Sequence, residues 1–214
     1  MPASPAAGTW ATDPGMLRFV ALPIPVGVEL GRSRSFAWVT DWPGWCRPGR
    51  SEAEALATLA AYAPRYLPVA VAAGEILPAG AVGEFAVEER LAGSTTTDFG
   101  APGAIAAADL LSLSPEAGRR LAALLAATWD LFDRVATRAP AELRKGPRGG
   151  GRDRDQVIDH VRGADFVYAR KLGLKFPALV ADRSAVADLR AAVLGTLPAP
   201  ASLNPGAQGW PPRY

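Results

Sequence analysis

The chain has 214 residues, a formal net charge of +2 and a hydrophobic share of 49%. This length suits one or two modest domains with a buried core, and the balance of apolar and charged residues argues against global disorder. Because the net charge is small, no overall field draws the protein to nucleic acid or anionic lipid, and such binding would require a local basic patch.

The sequence carries no strong signal for export or membrane insertion. Residues 1–15 contain no basic residue to open a signal peptide, and no apolar run reaches the roughly 18 residues that span a bilayer. Cys46 is the only cysteine, so an intramolecular disulfide is excluded. We therefore expect a cytoplasmic protein without a membrane span, in which residues 1–16 form a flexible N-terminal arm.

The first half of the chain predicts a small antiparallel sheet. Two β-rich runs, 26–30 and 36–40, flank a short polar linker that suits a hairpin. Alternating apolar and polar residues over 85–91 predict a further strand, although Glu89 interrupts the alternation.

One helix is expected to cover this sheet. Ser51 and Glu54 form a capping box, in which the serine oxygen accepts a backbone N–H and the glutamate reaches back to the cap. Apolar residues then recur at helical spacing as far as Pro64, which should end or kink the helix near Ala63.

The second half of the chain predicts three amphipathic helices. Ser114 with Pro115 opens the first, Asp153 caps the second, and the third spans 182–194. The connection 139–151 is rich in Pro and Gly and is expected to be a loop. Three helices form only a partial up-down bundle, so the first keeps apolar surface for the N-terminal sheet or for a second copy of the chain in a homodimer.

Residues 41–55 read DWPGWCRPGRSEAEA. This run resembles the central motif of HicB-like domains, in which an acidic-x-Pro-Gly-Cys turn leads through a glycine and a threonine or serine into a Glu-Ala helix start. Trp45 stands at the family's usual cysteine position, and Cys46 one place later. The resemblance covers about residues 20–70 and implies a β-β-β-α layer with antitoxin-type or RNA-related roles. Because no helix-turn-helix pattern accompanies it, a structural or ligand-framing layer is favoured over an antitoxin.

Residues 155–165 read DQVIDHVRGAD and are similar to a helix of the DinB-like four-helix bundle, a likeness that extends over 114–194. In that family this helix presents the first of three metal-binding histidines, and His160 stands at that position. A His-x-x-x-His pair on a last helix supplies the other two, but His160 is the only histidine in this sequence. The resemblance therefore implies no cofactor, and a divalent metal only if further ligands come from outside this chain.

His160 itself has two interpretations. It shares a helical face with Val157 and Val161, so its ring is expected to point into or along the interior of the bundle. There it would be either a buried histidine hydrogen-bonded to a neighbour or a metal ligand, and without two partner histidines the first interpretation is favoured.

The expected ligand pocket lies between the two halves of the chain, where ligands often bind. Trp38, Trp42 and Trp45 cluster around a Pro-Gly turn beside Cys46, and Tyr168 lies on the inner face expected for the second bundle helix. As an alternative, these aromatic side chains supply core area to a small sheet, and Cys46 is a small buried hydrophobe.

Basic residues are concentrated in the glycine-rich connection before the second bundle helix. Arg144, Lys145, Arg148 and Arg152 could contact phosphates there, but the run lacks the Lys-Ser/Thr ending of a Walker loop and does not follow a strand. A solvated connection is therefore favoured over nucleic-acid contact.

Together these patterns predict an α+β protein. A small antiparallel sheet with one helix, over 17–100, would pack on a partial three-helix up-down bundle over 101–214 that lacks its last helix. The expected function is that of a non-catalytic or vestigial binding protein for small apolar or thiol-bearing ligands. Two alternatives stay open: a metal-dependent DinB-like transferase or hydrolase completed from outside this chain, and a HicB-like antitoxin or nucleic-acid-binding regulator.

Overall fold

The computed structural model describes residues 23–78, 84–146, 150–177 and 183–198. The predicted α+β class is confirmed, and the expected arm, 1–16, lies outside the described residues. Within those residues no helix is long and apolar enough to cross a bilayer. In chain order the elements are β1 (Ile24–Leu30), β2 (Ser35–Val39), β3 (Cys46–Gly49), α1 (Glu52–Ala72), β4 (Phe85–Ala92), α2 (Thr95–Phe99), a 3₁₀ turn (Ala107–Leu110), α3 (Pro115–Arg138), α4 (Arg154–Lys171) and α5 (Arg183–Thr196).

The four strands lie in the order β3-β2-β1-β4. Both β1 and β3 run antiparallel to β2, but β4 pairs with β1 in the parallel direction. The sheet is therefore mixed rather than antiparallel. The reason is that α1 carries the chain back across the sheet between β3 and β4, and such a crossover delivers the next strand parallel to the one before it.

A bulge in β4 explains why its alternation is interrupted. Val26 of β1 lies opposite Val87, but the next residue, Gly27, lies opposite Glu89. Glu88 is therefore an extra residue in β4, and every side chain after it moves to the other face of the sheet.

The bulge decides which face of the sheet each of two neighbouring charged residues of β4 takes. The carboxylate of Glu89 accepts a hydrogen bond from the Ala107 N–H at 3.1 Å, in the segment that covers one face. Arg90 forms an ion pair of 2.7 Å with Glu52 of α1, which covers the other face. Neither contact could form with an unbulged register.

Helix α1 is capped at Ser51 as predicted, but it does not end near Ala63. Pro64 and Pro68 lie inside the helix, on its exposed side. The expected end is wrong because the apolar face continues beyond the prolines, and burial of that face offsets the backbone hydrogen bond that each proline removes. The residues buried there are Tyr66, Val69 and Ala70.

Trp45 is the centre of the core between the sheet and α1. Its side chain is fully buried, and its indole N–H donates to the Leu59 carbonyl at 2.9 Å. Its ring stacks on Tyr66 with 5.7 Å between the ring centroids. Because the one polar atom of the indole is satisfied, the whole side chain can be buried without an unpaired donor. The sheet residues of this core are Ile24, Val26, Val28, Ala37 and Val39.

The other face of the sheet is covered by the segment that follows β4. Glu29 of β1 is 0% exposed, and its carboxylate accepts hydrogen bonds from the Thr97 hydroxyl and from the Gly103 and Ala104 N–H groups, the last two at 2.9 Å each. These donors satisfy a buried charge that would otherwise be costly. Glu29 therefore fastens this segment to the sheet.

Helix α3 contributes to two hydrophobic cores. Leu124 and Ala127 pack into the core formed by the sheet and α1. Trp129 packs instead with Ala169 of α4 and Leu189 of α5. The apolar surface that the sequence left uncovered on this helix is thus partly covered by the N-terminal half of the chain.

Replacing the buried carboxylate should destabilise the fold measurably. In Glu29→Gln the negative charge is lost and an NH₂ group replaces one acceptor oxygen, so the side chain can no longer accept all of these hydrogen bonds. We expect the free energy of unfolding to fall by about 2–3 kcal/mol. Chemical denaturation of the wild type and the variant measures this loss.

The matched control for that experiment is Glu88→Gln. Glu88 is exposed on the same sheet and makes no hydrogen bond to a described residue. Its replacement should change the free energy of unfolding by less than about 0.5 kcal/mol. Equal effects of the two substitutions would show that the Glu29 contacts contribute nothing.

Candidate functional site

The aromatic residues of the predicted ligand pocket lie in three different places. Trp38, Trp42 and Cys46 line a cavity of about 170 Å³ beside the turn that precedes β3. Trp45 does not line it, because its ring belongs to the core between the sheet and α1. Tyr168 is on α4, is 54% exposed and does not line this cavity either.

This aromatic cavity is a weak candidate for ligand binding or for cysteine chemistry. Its volume is below the roughly 300 Å³ at which small-molecule sites begin. Burial raises the pKa of the Cys46 thiol, and the nearby Arg47 guanidinium only partly opposes that shift. A thiol held in its protonated form is a poor nucleophile. The geometry favours the interpretation of Cys46 as a small apolar residue.

His160 is exposed on α4 rather than turned toward the interior of the bundle. Within the part of the chain that the structure describes, no three side chains of the His, Cys, Asp and Glu types lie together as a metal site requires. The described residues therefore assemble no metal centre around His160.

The basic connection before α4 is exposed where the structure describes it. Arg144, Lys145 and Arg152 are all exposed, and Arg148 lies outside the described residues. The ammonium of Lys145 pairs with Asp153 at 2.5 Å and, as its main cause, lowers the pKa of that carboxyl. Lys145 thereby neutralises the residue that caps α4 instead of extending toward a phosphate.

A larger cavity, which we call the helical cavity, lies between α3, α4 and α5 and has a volume of about 650 Å³. Its large apolar lining residues are Phe132, Ile158 and Val186, one from each helix, and Ala136 and Ala187 add to the apolar wall. Its charged lining consists of Arg154, Asp155, Arg162, Asp133 and Arg190. The cavity thus combines an apolar wall with three guanidinium groups and two carboxylates.

Helical spacing explains why the lining residues of each helix form one wall of the cavity. Arg154, Ile158 and Arg162 follow one another at intervals of four residues, so they share a single face of α4. Val186 and Arg190 are likewise four residues apart on α5. Each helix therefore contributes an apolar side chain together with at least one charged side chain.

The three guanidinium groups of the helical cavity differ in their partners. Arg154 pairs with Asp155 at 2.8 Å, and Arg190 pairs with Asp133 at 2.7 Å. The Arg162 side chain is half-buried and makes no hydrogen bond or ion pair to any residue that the structure describes. It is therefore the guanidinium whose charge is available to a ligand.

A buried polar network lies next to the cavity and shares Arg190 with it. The Trp129 indole N–H donates to one oxygen of Asp165 at 3.0 Å, and the Arg190 Nε contacts the other at 3.4 Å. The Arg190 guanidinium also lies 4.9 Å from the centre of the Trp129 ring. Burial raises the pKa of Asp165, and the Trp129 and Arg190 contacts only partly counter that shift. The network joins α3, α4 and α5 through polar contacts.

Hydrophobic periodicity predicted only part of the inner face of α4, so the helical cavity was missed. The apolar pattern put Val157, Val161, Ala164, Tyr168 and Leu172 inside. In the structure Leu172 does pack against the bundle core and Ala169, not Tyr168, is buried there. Ile158 and Arg162, one residue after Val157 and Val161, line the helical cavity. Arg162 and Asp165 count as polar in any hydrophobic pattern, so their inward position has no apolar signal. The signal that the sequence did offer was the spacing of Arg154 and Arg162, which lie eight residues apart and so share one helical face.

Comparisons with known proteins add no assignment to this geometry. No protein-family model matches the chain. No curated protein and no solved structure matches it either. The resemblances to HicB-like and DinB-like domains therefore remain predictions from the sequence.

The raised pKa of Asp165 predicts the sign of a pH effect on stability. Its folded-state pKa lies above the ordinary value of 3.8, so the native state holds this proton more tightly than the unfolded state does. As the pH rises from that value through the raised pKa, the free energy of unfolding of the wild type should fall relative to that of Asp165→Asn.

Denaturation of both proteins over the acid range measures this difference. The amide of the variant keeps an oxygen for the Trp129 N–H but does not titrate in this range. Carboxyl groups that do not interact with Asp165 or Arg190 titrate alike in both proteins, so their contributions cancel; the exception is Asp133, which pairs with the same guanidinium. A wild type that instead gained stability relative to the variant with rising pH would mean that the Arg190 pairing outweighs burial.

Proposed function

We propose that the protein binds a small organic anion with an apolar body, and that this ligand occupies the helical cavity. The proposal rests on Arg162, a half-buried guanidinium that lines the cavity and has no partner among the described residues. A guanidinium binds carboxylate, phosphate or sulfonate through two parallel hydrogen bonds. In a partly desolvated cavity such a pair is stronger than the same pair in water.

The size and lining of the helical cavity support a small organic ligand. Its volume of about 650 Å³ falls within the range of roughly 300–1,000 Å³ that is typical of small-molecule sites. Phe132, Ile158 and Val186 offer an apolar surface against which the body of the ligand can be buried. A purely inorganic anion would leave that surface unused.

Binding without catalysis is the form of the proposal that fits the side chains of the cavity. Neither histidine nor cysteine is among its described lining residues, and two of its arginines are already paired with aspartates. A metal-dependent DinB-like reaction would need ligands from outside the described residues, since His160 is exposed and forms no metal cluster within them. We therefore assign the ligand to the helical cavity and not to the small cavity that Trp38, Trp42 and Cys46 line.

Paired fluorescent probes test the proposed function. Anilinonaphthalene sulfonate carries an anionic group on an aromatic body, and phenylnaphthylamine is the corresponding uncharged body. Arg162→Gln should raise the Kd of the sulfonate by about 10-fold or more, because a charge-assisted hydrogen bond is lost. The Kd of the uncharged probe should change little.

Arg170→Gln is the matched control, since Arg170 is exposed on the same helix and does not line the helical cavity. It should leave both dissociation constants unchanged. If Arg162→Gln and Arg170→Gln affected the sulfonate equally, or if neither affected it, anion binding in the helical cavity would be disproved.

A further inference from the structure

We infer that Asp133 is the resting counter-ion of Arg190 and that the anionic group of the ligand displaces it, so that the ligand is held by Arg162 and Arg190 together. The inference rests on the proposed function and adds the rule by which the cavity selects its ligand. Asp133 would be the residue that sets the preference for anions, because it competes with them for the same guanidinium.

Arg190 holds two carboxylates that differ in their surroundings. Asp165 is 13% exposed, contacts the Arg190 Nε and is also bound by the Trp129 N–H. Asp133 is 58% exposed and contacts only the Nη1 of Arg190 at 2.7 Å. The two carboxylates therefore occupy different donors of one guanidinium, and only Asp133 lines the helical cavity.

The cost of separation decides which carboxylate gives way. An exposed ion pair contributes little, because water solvates both charges once they part. Removing Asp165 from Arg190 would leave a buried carboxylate without its cation, which is strongly unfavourable. The Asp133 side chain can rotate out into the solvent. Asp165 continues to hold Arg190 from the interior side of the bundle. An entering anion would then meet the Nη1 donor already aligned.

The other charges of the cavity make Asp133 the main obstacle to an anion. Asp155 is 74% exposed and is paired with its neighbour Arg154, so its charge is largely compensated and screened. Asp133 lies beside the guanidinium that the ligand would bind. Removal of its charge should therefore strengthen the binding of an anion and leave the binding of a neutral molecule unchanged.

Asp133→Asn tests the inference with the same two probes. We expect the Kd of anilinonaphthalene sulfonate to fall about five-fold, which is the effect of removing one like charge at a partly solvated site. The Kd of phenylnaphthylamine should not change. The control is Asp130→Asn, because Asp130 is 60% exposed on the same helix and pairs with Arg134 at 2.6 Å, away from the cavity lining.

The outcomes separate the inference from the proposed function. If Asp133→Asn left the sulfonate Kd unchanged or raised it, while Arg162→Gln still weakened binding, counter-ion displacement would be wrong and anion binding would stand. If Asp130→Asn lowered the sulfonate Kd by the same factor, the inference would also be wrong, because the effect would then come from the general surface charge of the helix. If Arg162→Gln had no effect on the sulfonate, both proposals would fail together.

Discussion

The guanidinium of Arg190 is the interaction on which the helical half of the protein depends. It belongs to α5, contacts Asp165 of α4 and Asp133 of α3, and lies over the ring of Trp129. Three helices thus meet at one cation whose inner partner is buried. The apolar core of Trp129, Ala169 and Leu189 adjoins this point, and the helical cavity opens beside it. Arg190 therefore links the three helices that line the cavity through contacts made on its inner side.

In the half of the chain that forms the sheet, a buried carboxylate joins separate segments, as the Arg190 guanidinium does among the helices. Glu29 is buried on the face of the sheet away from α1 and is satisfied by one hydroxyl and two backbone N–H groups. In both halves a charged side chain with little or no exposure therefore joins segments that are distant in sequence.

Local signals in the sequence located the longer helices but neither the short helix α2 nor the faces that the elements bury. Helices start after Ser51, Ser114 and Asp153 as predicted, and the side chains of the two serines accept an N–H of the first turn. Pro64 was misread because its effect depends on the tertiary burial that follows it. The interrupted alternation at Glu89 was the local trace of the bulge at Glu88. The register of that bulge and the parallel pairing of β4 depend on partners far along the chain, so no local pattern reports them.

The candidate site also could not be located from local sequence signals alone. The tryptophans near the turn were recognised by residue type, yet residue type cannot distinguish Trp45 in the core from Trp38 and Trp42 at a small cavity. Arg162 was overlooked because hydrophobic patterns treat an inward arginine as a solvent-facing residue. A partly buried guanidinium without a partner becomes visible only when the helices are placed against one another.

NMR of the arginine side chains tests anion binding in the helical cavity most directly. The Nε–H signals of the intact chain would be followed while anilinonaphthalene sulfonate is added, with phenylnaphthylamine added in a parallel titration. We expect the signals of Arg162 and Arg190 to shift in a saturable manner with the sulfonate alone, and that of Arg170 to stay in place. Saturable sulfonate binding that left the Arg162 signal unmoved would contradict the assignment of the ligand to this cavity.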